Sequence, residues 1–416
     1  MLWGEEIAQG HLSHRRIGEI TVEALGNYSL EGRKVLCLIP DFTRKAPLPL
    51  LFRALYKAIG KQVKALDFLV ASGTHQPMPQ SQIMKLLGLT RAELESKFTN
   101  VGLFAHKHDD PHELKLAGII PEEEIREISS GKLHTEIPLY LNRRLFEYDL
   151  VIILGPVSPH EVAGFSGGNK YFFPGVAGTE IIQSFHWVGA VITNPAINGV
   201  KDNPVRRFLD RGAALLHFDK LCFSFVVLAD GELGCLYIGS PEESYGKAVD
   251  YSSRVHIVYL ERPFKRVLGV VPAMYTDLWV GGKAMYKLEP IVAEGGELII
   301  YAPHIKELSH THGAAIERIG YHVLDYFLEQ WPRFAQEPKL IMAHSTNVKG
   351  IGRYSDGQEY PRIRVTLATG IPEEVCRRVN LGYCDPATIK VEEWRNREDE
   401  GMLYVPRAGE LLYRLR

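Results

Sequence analysis

DLVIILGPVSPHEVAGFSGGNK, residues 149–170, decides the fold class. After Asp149 the run is apolar without alternation and is closed by Gly155 and Pro156. A run that short is a strand buried on both faces, the kind a parallel sheet uses. The residues beyond Pro156 are not core-like. His160 comes directly after Pro159, and Gly167, Gly168 and Lys170 form a small-residue turn. Residues 178–189 then carry Ile181, Ile182, Phe185 and Val188 at helical spacing, with His186 on the same helix.

The same order of elements occurs twice upstream. Residues 34–40 (KVLCLIP) read as a buried strand that ends in Asp41-Phe42-Thr43-Arg44. A helix comes next over 47–60, with Leu50, Leu51, Leu55 and Ile59 in phase. Residues 63–71 (VKALDFLVA) read as the next strand, ending in Ser72-Gly73-Thr74-His75 before a helix over 80–87. Strand–loop–helix repetition predicts a parallel sheet with crossover helices. Asp41, His75 and His160 each come after a buried strand, and in an open parallel sheet such loops emerge at the carboxyl edge, where ligands bind.

Downstream, Asn203-Pro204-Val205-Arg206 opens a helix with proline near its first turn, and Asp230-Gly231 predicts a hairpin between residues 223–228 and 235–238. Strands are predicted at 255–260, 266–271, 297–301, 339–343 and 362–367. Residues 275–293 are helix-like and carry Asp277, Trp279, Gly282 and Lys283. His310-Thr311-His312 precedes what reads as one long amphipathic helix, with Ile316, Ile319, Val323, Phe327 and Trp331 on one face. The expected architecture is α/β in two domains. Residues 1–264 form a Rossmann-like parallel-sheet domain, and residues 265–416 a smaller α/β domain that closes over an active site in the cleft between them.

Composition narrows the function classes. The chain has 416 residues, too many for one ordinary core, with 45% hydrophobic and 24% charged residues. A net charge of −2 and the lack of a basic block argue against nucleic acid. Five cysteines form no CxxC pair, which suits a reducing compartment without disulfides. No apolar run reaches about 18 residues, and the N-terminus is too charged for a signal peptide, so a cytoplasmic protein without a membrane segment is expected.

The residue types at the sheet edge suggest their uses. Arg44 has a planar fork suited to a carboxylate or phosphate. His75 and His160 can exchange protons near neutral pH. Gly167 and Gly168 permit close backbone approach to an anion, Lys170 can pair with a phosphate or act as an amine nucleophile, and His186 can ligate a metal. His106, His108 and Asp109 are either a metal group or a polar loop with surface histidines. No Gly-x-Gly-x-x-Gly fingerprint with a ribose-binding acid is visible, so an ordinary nicotinamide site is unsupported. The residues thus describe a carboxylate-handling site with two acid/base candidates, a reactive lysine and an optional metal. A nucleotide- or metal-binding protein without catalysis, a 2-hydroxyacid oxidoreductase with another acceptor, and a zinc hydrolase stay open as alternatives.

The chain resembles the lactate racemase family. The likeness is carried by Asp41-Phe42-Thr43-Arg44, Ser72-Gly73-Thr74-His75, Pro159-His160 through Lys170, His186, Asn203 to Arg206, and Lys283 ahead of Gly295-Gly296. The resemblance implies a nickel-pincer nucleotide, Ni(II)-pyridinium-3,5-bisthiocarboxylate mononucleotide, held covalently by Lys170 with His186 on the nickel. It implies His75 and His160 as general bases on opposite sides of the substrate. Arg44 and Lys283 would hold the substrate carboxylate and neighbouring groups, and Asp41, Phe42 and Thr43 would contact the nucleotide, as would Arg44, Val280 and Lys283. Trp279 would line the substrate pocket. The implied reaction is inversion at C2 of a 2-hydroxy acid, by hydride transfer coupled to proton transfer, with cofactor-synthesis proteins as partners.

Three segments depart from the family pattern. Lys45 stands where Asp-x-Thr-Arg is usually followed by proline, the glycine turn reads Gly-Gly-Asn-Lys, and Trp279-Val280 replaces a Tyr-Gln pair. An indole and an isopropyl group change the pocket wall, so the 2-hydroxy acid itself is open.

Overall fold

The computed structural model describes residues 1–73 and 75–416, so Thr74 of the Ser72–His75 motif lies outside the described residues. The chain forms two compact units. The first contains Met1–Ser158, Phe165–Phe185 and Arg206–Val255; the second contains Pro159–Gly164, His186–Val205 and His256–Arg416.

The first unit is built on a seven-stranded sheet. Its order is Trp3–Glu6, Leu233–Gly239, Asp219–Val227, Leu150–Pro156, Lys34–Ile39, Ala65–Val70, Leu103–Ala105. The strands from Asp219–Val227 to Leu103–Ala105 pair in parallel, as the alternating pattern predicts. The hairpin at Asp230-Gly231 also forms, with Asp219–Val227 and Leu233–Gly239 antiparallel across a bulge at Val226/Val227. Every residue of Leu150–Pro156 is buried, which explains its unbroken apolar run. Helix Leu48–Ile59 lays Leu48, Leu51, Phe52, Leu55 and Ile59 on the sheet, and the Phe52 ring meets Phe68 at 5.3 Å and Phe98 at 5.0 Å.

Connectivity in this sheet reverses once. From Lys34–Ile39 the chain steps outward to Ala65–Val70 and Leu103–Ala105, then returns to add Leu150–Pro156 on the opposite side of Lys34–Ile39. At such a reversal the loops leaving two neighbouring strands diverge and open a crevice at the carboxyl edge. Asp41 begins one of those loops, and the other leads toward the glycine turn.

The second unit has a five-stranded parallel sheet in the order Gly382–Tyr383, Arg364–Thr369, Val292–Ala302, Phe264–Val270, Met402–Val405. Its reversal falls between Phe264–Val270 and Met402–Val405.

Two sequence expectations fail here. The single long helix after His312 is three pieces, Gly313–Ile319, Leu324–Glu329 and Trp331–Phe334. Gly320 takes φ +81°, after which the Tyr321 N–H donates to Val379 O and the His322 N–H to Ser345 Oγ, so the backbone donors that would extend the helix are used elsewhere. Residues 339–343, expected as a strand, begin the helix Lys339–Lys349. Leu340 to Val348 are all buried, so no polar face exposes the helical period, and a short apolar run reads the same either way.

Candidate functional site

In the first unit the loop after Lys34–Ile39 holds a histidine–carboxylate pair. Asp41 is 4% exposed, and its Oδ2 accepts from the Nδ1–H of His75, which lies in the loop after Ala65–Val70. The other oxygen accepts from the Thr43 N–H at 3.0 Å and the Thr43 hydroxyl at 2.5 Å. Burial alone would push the Asp41 carboxyl up. The bond and charge of His75 and the two Thr43 bonds outweigh it and hold the carboxyl below its ordinary value. An ionised carboxylate on Nδ1 selects the tautomer that leaves Nε2 with a lone pair. The His75 side chain is about half exposed, so that lone pair belongs to a reachable ring.

The strand Leu150–Pro156 supplies the floor. A side chain at Gly155 would meet the Tyr171 ring at 3.0 Å and Gly167 Cα at 3.4 Å. Gly167 and Gly168 adopt φ of +88° and +56°, and a Cβ on Gly167 would press on Val157 at 2.8 Å. Only glycine suits both positions. The turn is held from below by Arg206, whose guanidinium donates to Phe165 O at 2.6 Å and Gly167 O at 3.3 Å and lies 3.9 Å from the Tyr245 ring centre. Asn169 donates to Asp210 at 2.9 Å and Glu242 at 2.7 Å. Lys170, next in the chain, is half-buried, with its amine 5.9 Å from the Phe185 ring centre. The Gly73 N–H donates to Gly175 O at 3.0 Å, tying the His75 loop to the segment after Lys170. Arg44 is half-buried, and its charge and that of Asp41 both act on the buried Tyr171 hydroxyl; burial keeps that group well above the usual tyrosine range. The first unit therefore gathers Asp41, Thr43, Arg44, His75 and Lys170 at its sheet reversal. Phe42, 68% exposed, projects from the same loop.

His106 belongs to the same unit but not to this group. It is fully buried, where sequence reading left either a metal ligand or a surface histidine. Its Nε2–H donates to Ala177 O at 2.9 Å, and its Nδ1 accepts from the Asn142 amide at 3.1 Å. Both nitrogens are used, so neither is left for a metal. His108 is half-buried and bonds the Thr179 hydroxyl at 3.0 Å. Among the described residues no group of three or more His, Cys, Asp or Glu is arranged to hold a metal ion. Burial pushes His106 down to about 4 from 6.5. The unfolded chain thus binds a proton below pH 6.5 that the folded chain refuses until about pH 4, and stability is lost as pH falls across that window. From pH 7 to pH 5 this group should cost about 2 kcal/mol. Urea unfolding at the two pH values checks it, with His106→Asn expected to show the smaller pH dependence.

The second unit holds the remaining candidates. His160 is 6% exposed in the short strand Pro159–His160. Its Nδ1 accepts from the Val162 N–H at 3.1 Å, and a Glu161 carboxylate oxygen lies 3.5 Å from the same nitrogen. The first contact places the ring proton on Nε2; the carboxylate can receive it on Nδ1 in the other tautomer. His186 is half-buried on helix Thr179–Ile192. Trp279 and Val280 lie on the helix Leu278–Gly281, capped by Asp277, whose Oδ1 accepts from Val280 N–H at 3.1 Å while Oδ2 accepts from His310 N–H at 3.0 Å. Lys283 begins the helix Lys283–Leu288, with its amine 5.2 Å from the Tyr275 ring centre. This end of the sheet is its reversal, where the Ala408 N–H donates to Val270 O at 2.8 Å.

Sequence reading missed His344. It is 8% exposed on helix Lys339–Lys349 and lies 4.0 Å from the Trp279 ring centre. Burial first, then the charges of His312 and His186, pushes it down to about 3. His312, to which the sequence assigned no role, lies 4.6 Å from the Trp279 ring centre, and burial lowers it too. No spacing rule links residue 344 to residue 279, so only the folded chain could find this pair.

Comparisons with known proteins agree with one another. The family description "Lactate racemase N-terminal domain" matches residues 17–198. A lactate racemase from Thermoanaerobacterium thermosaccharolyticum is 28% identical over 327 residues, 75% of this chain and 66% of the relative. One from Lactiplantibacillus plantarum is 24% identical over 305 residues, 69% of this chain and 63% of the relative. The matched part therefore spans just under two thirds of each of these relatives. A crystal structure of a Thermotoga maritima protein superposes with a TM-score of 0.85 at 33% identity, covering 99% of this chain and all of that one. The lactate racemase apoprotein from Thermoanaerobacterium thermosaccharolyticum superposes with a TM-score of 0.73 at 19% identity, covering 96% of this chain and 93% of that one, which shows a shared fold. No helix among the described residues is long and apolar enough to cross a membrane.

Proposed function

We propose, from its similarity to lactate racemases, that the chain is an isomerase that inverts C2 of a 2-hydroxy acid with a nickel-pincer nucleotide. The observation that carries this reading is the Asp41–His75 pair at the sheet reversal that also holds the Gly167-Gly168 turn and Lys170. Proton exchange and an amine beside a close-approach turn are the two requirements of that chemistry, and both lie in one unit.

The residues present fit the cofactor. The positive-φ glycine turn leaves room for a group to approach the backbone, and Lys170 lies two residues after Gly168. Lys170 would hold the nucleotide covalently, His186 would supply an imidazole to nickel, and Asp41, Phe42, Thr43, Arg44, Val280 and Lys283 would contact the group. When bound, the group supplies an electron-poor pyridinium ring that accepts the C2 hydrogen with its electron pair and returns it. His75, with Nδ1–H held by Asp41, takes the proton of the C2 hydroxyl on Nε2. His160 serves the opposite enantiomer. With Nδ1 accepting from Val162 it offers an Nε2–H to the C2 oxygen, and with Nδ1–H turned to Glu161 it offers a lone pair. Arg44 and Lys283 hold the substrate carboxylate. The partners of this reading are a small 2-hydroxy acid and the proteins that make the cofactor, and its setting is the cytoplasm.

The test uses protein co-expressed with cofactor-synthesis proteins and single enantiomers of several 2-hydroxy acids in deuterated water. The expected result is inversion with little solvent deuterium at C2, because the hydrogen travels with its electrons. Extensive deuterium at C2 would point to a carbanion route, and net formation of a 2-oxo acid would make the chain an oxidoreductase.

A further inference from the structure

The second unit contains a wall whose chemistry bears on substrate choice. Trp279 and Lys283 are four residues apart across two helical segments joined at Gly282, which keeps right-handed helical angles, so the two side chains lie on one helical face a turn apart. The Trp279 ring is packed by two imidazoles. His344 lies 4.0 Å away at an interplanar angle of 30°, and His312 lies 4.6 Å away at 50°. His344 is itself backed by Tyr321, whose ring centre is 5.8 Å from it. The Asp277 cap fixes the start of the helix and the 309–312 loop together, through the Val280 and His310 N–H groups. The indole is therefore anchored from the helix end and from both imidazoles. Both imidazoles favour the neutral form, and Val280 beside the indole is apolar.

We propose that Trp279, held by the positioning residues His344 and His312, forms an uncharged wall beside Lys283 that selects a 2-hydroxy acid whose side chain is apolar and larger than methyl. The proposal rests on the racemase reading above. A carboxylate held at Lys283 leaves the rest of the substrate within a helical turn of the indole. A methyl group covers little of an indole, whereas a branched alkyl or aryl group covers much more and gains in proportion to the apolar area removed from water. A second carboxylate would have to leave water for a wall made of an indole and an isopropyl group, which costs more than that surface returns.

The experiment uses holoenzyme whose adduct at Lys170 has been verified by intact mass, with single enantiomers of lactate, malate, 2-hydroxy-4-methylpentanoate and 3-phenyllactate. The expected result is a kcat/KM for the two apolar acids at least about tenfold above that for lactate or malate. Trp279→Ala should erase most of that preference, chiefly through KM, and Trp279→Phe should keep part of it. His312→Ala, at a half-exposed position, should raise KM for the apolar acids more than for lactate. A wild-type preference for lactate or malate overturns the wall, as does an unchanged preference in Trp279→Ala. A protein that carries no adduct and inverts none of the four acids overturns the racemase reading instead, so the two failures are distinguishable.

Discussion

Asp41→Asn should lower the turnover of the loaded enzyme by about three to four orders of magnitude, the scale seen when the carboxylate behind a catalytic histidine becomes an amide. The reason lies in one proton. The Asp41 carboxylate accepts from Nδ1–H of His75, which leaves the Nε2 lone pair available as a base. An asparagine can turn its NH2 toward Nδ1, and the imidazole then carries its proton on Nε2, where it can no longer take one. The fold should tolerate the change. The amide oxygen can still accept from the Thr43 N–H and hydroxyl, which bond the other oxygen of Asp41. Thermal unfolding should therefore move little while kcat collapses and KM changes by a small factor. A loss of tenfold or less would mean that His75 is not the base, or that Asp41 serves only to hold its loop.

Lys170→Ala and Lys170→Arg should both abolish covalent cofactor attachment and, with it, all inversion activity. Only a neutral amine can form the bond, and a guanidinium stays protonated at any working pH. Arginine keeps the positive charge and most of the stem, so it separates covalent attachment from simple pairing with a phosphate. Intact mass after co-expression with the cofactor-synthesis proteins reads the result directly. Wild-type protein should carry an added mass and both variants none. Retention of the adduct in either variant would place the attachment elsewhere, and an unmodified wild-type protein would count against use of the cofactor.

Much of the first unit was legible from local pattern. Three apolar runs, at residues 34–40, 63–71 and 149–155, each supply a strand to the parallel part of one seven-stranded sheet. Strand direction is set by strand–helix alternation, so the loops after Lys34–Ile39, Ala65–Val70 and Leu150–Pro156 had to leave from one edge. That is why the Asp41–Arg44 motif, His75 and His160 could be assigned to one edge without coordinates; Asp41 and His75 do meet in the first unit, whereas His160 falls in the second. The glycine turn before Lys170 was legible from residue type, since two adjacent glycines with a lysine two residues on permit close approach to the backbone.

Tertiary structure decided what depends on partners distant in sequence. His106 read as either a metal ligand or a surface histidine, but its Nε2–H donates to Ala177 O and its Nδ1 accepts from the Asn142 amide, and burial is a property of the packed chain. The break at Gly320 depends on Val379 and Ser345 taking backbone donors that an isolated helix would use itself. The helix at Lys339–Lys349 hid its period because it is buried all round. The Asp41 carboxylate meets His75 from another loop as well as its own neighbour Thr43. His344 reaches Trp279 from 65 residues away along the chain. Residue type and spacing thus determined the sheet, the edge and the chemistry offered there. Which carboxylate faces which imidazole, and what stands behind the indole, was decided by packing, because those contacts join segments that share no periodicity and meet only when the core excludes water around them.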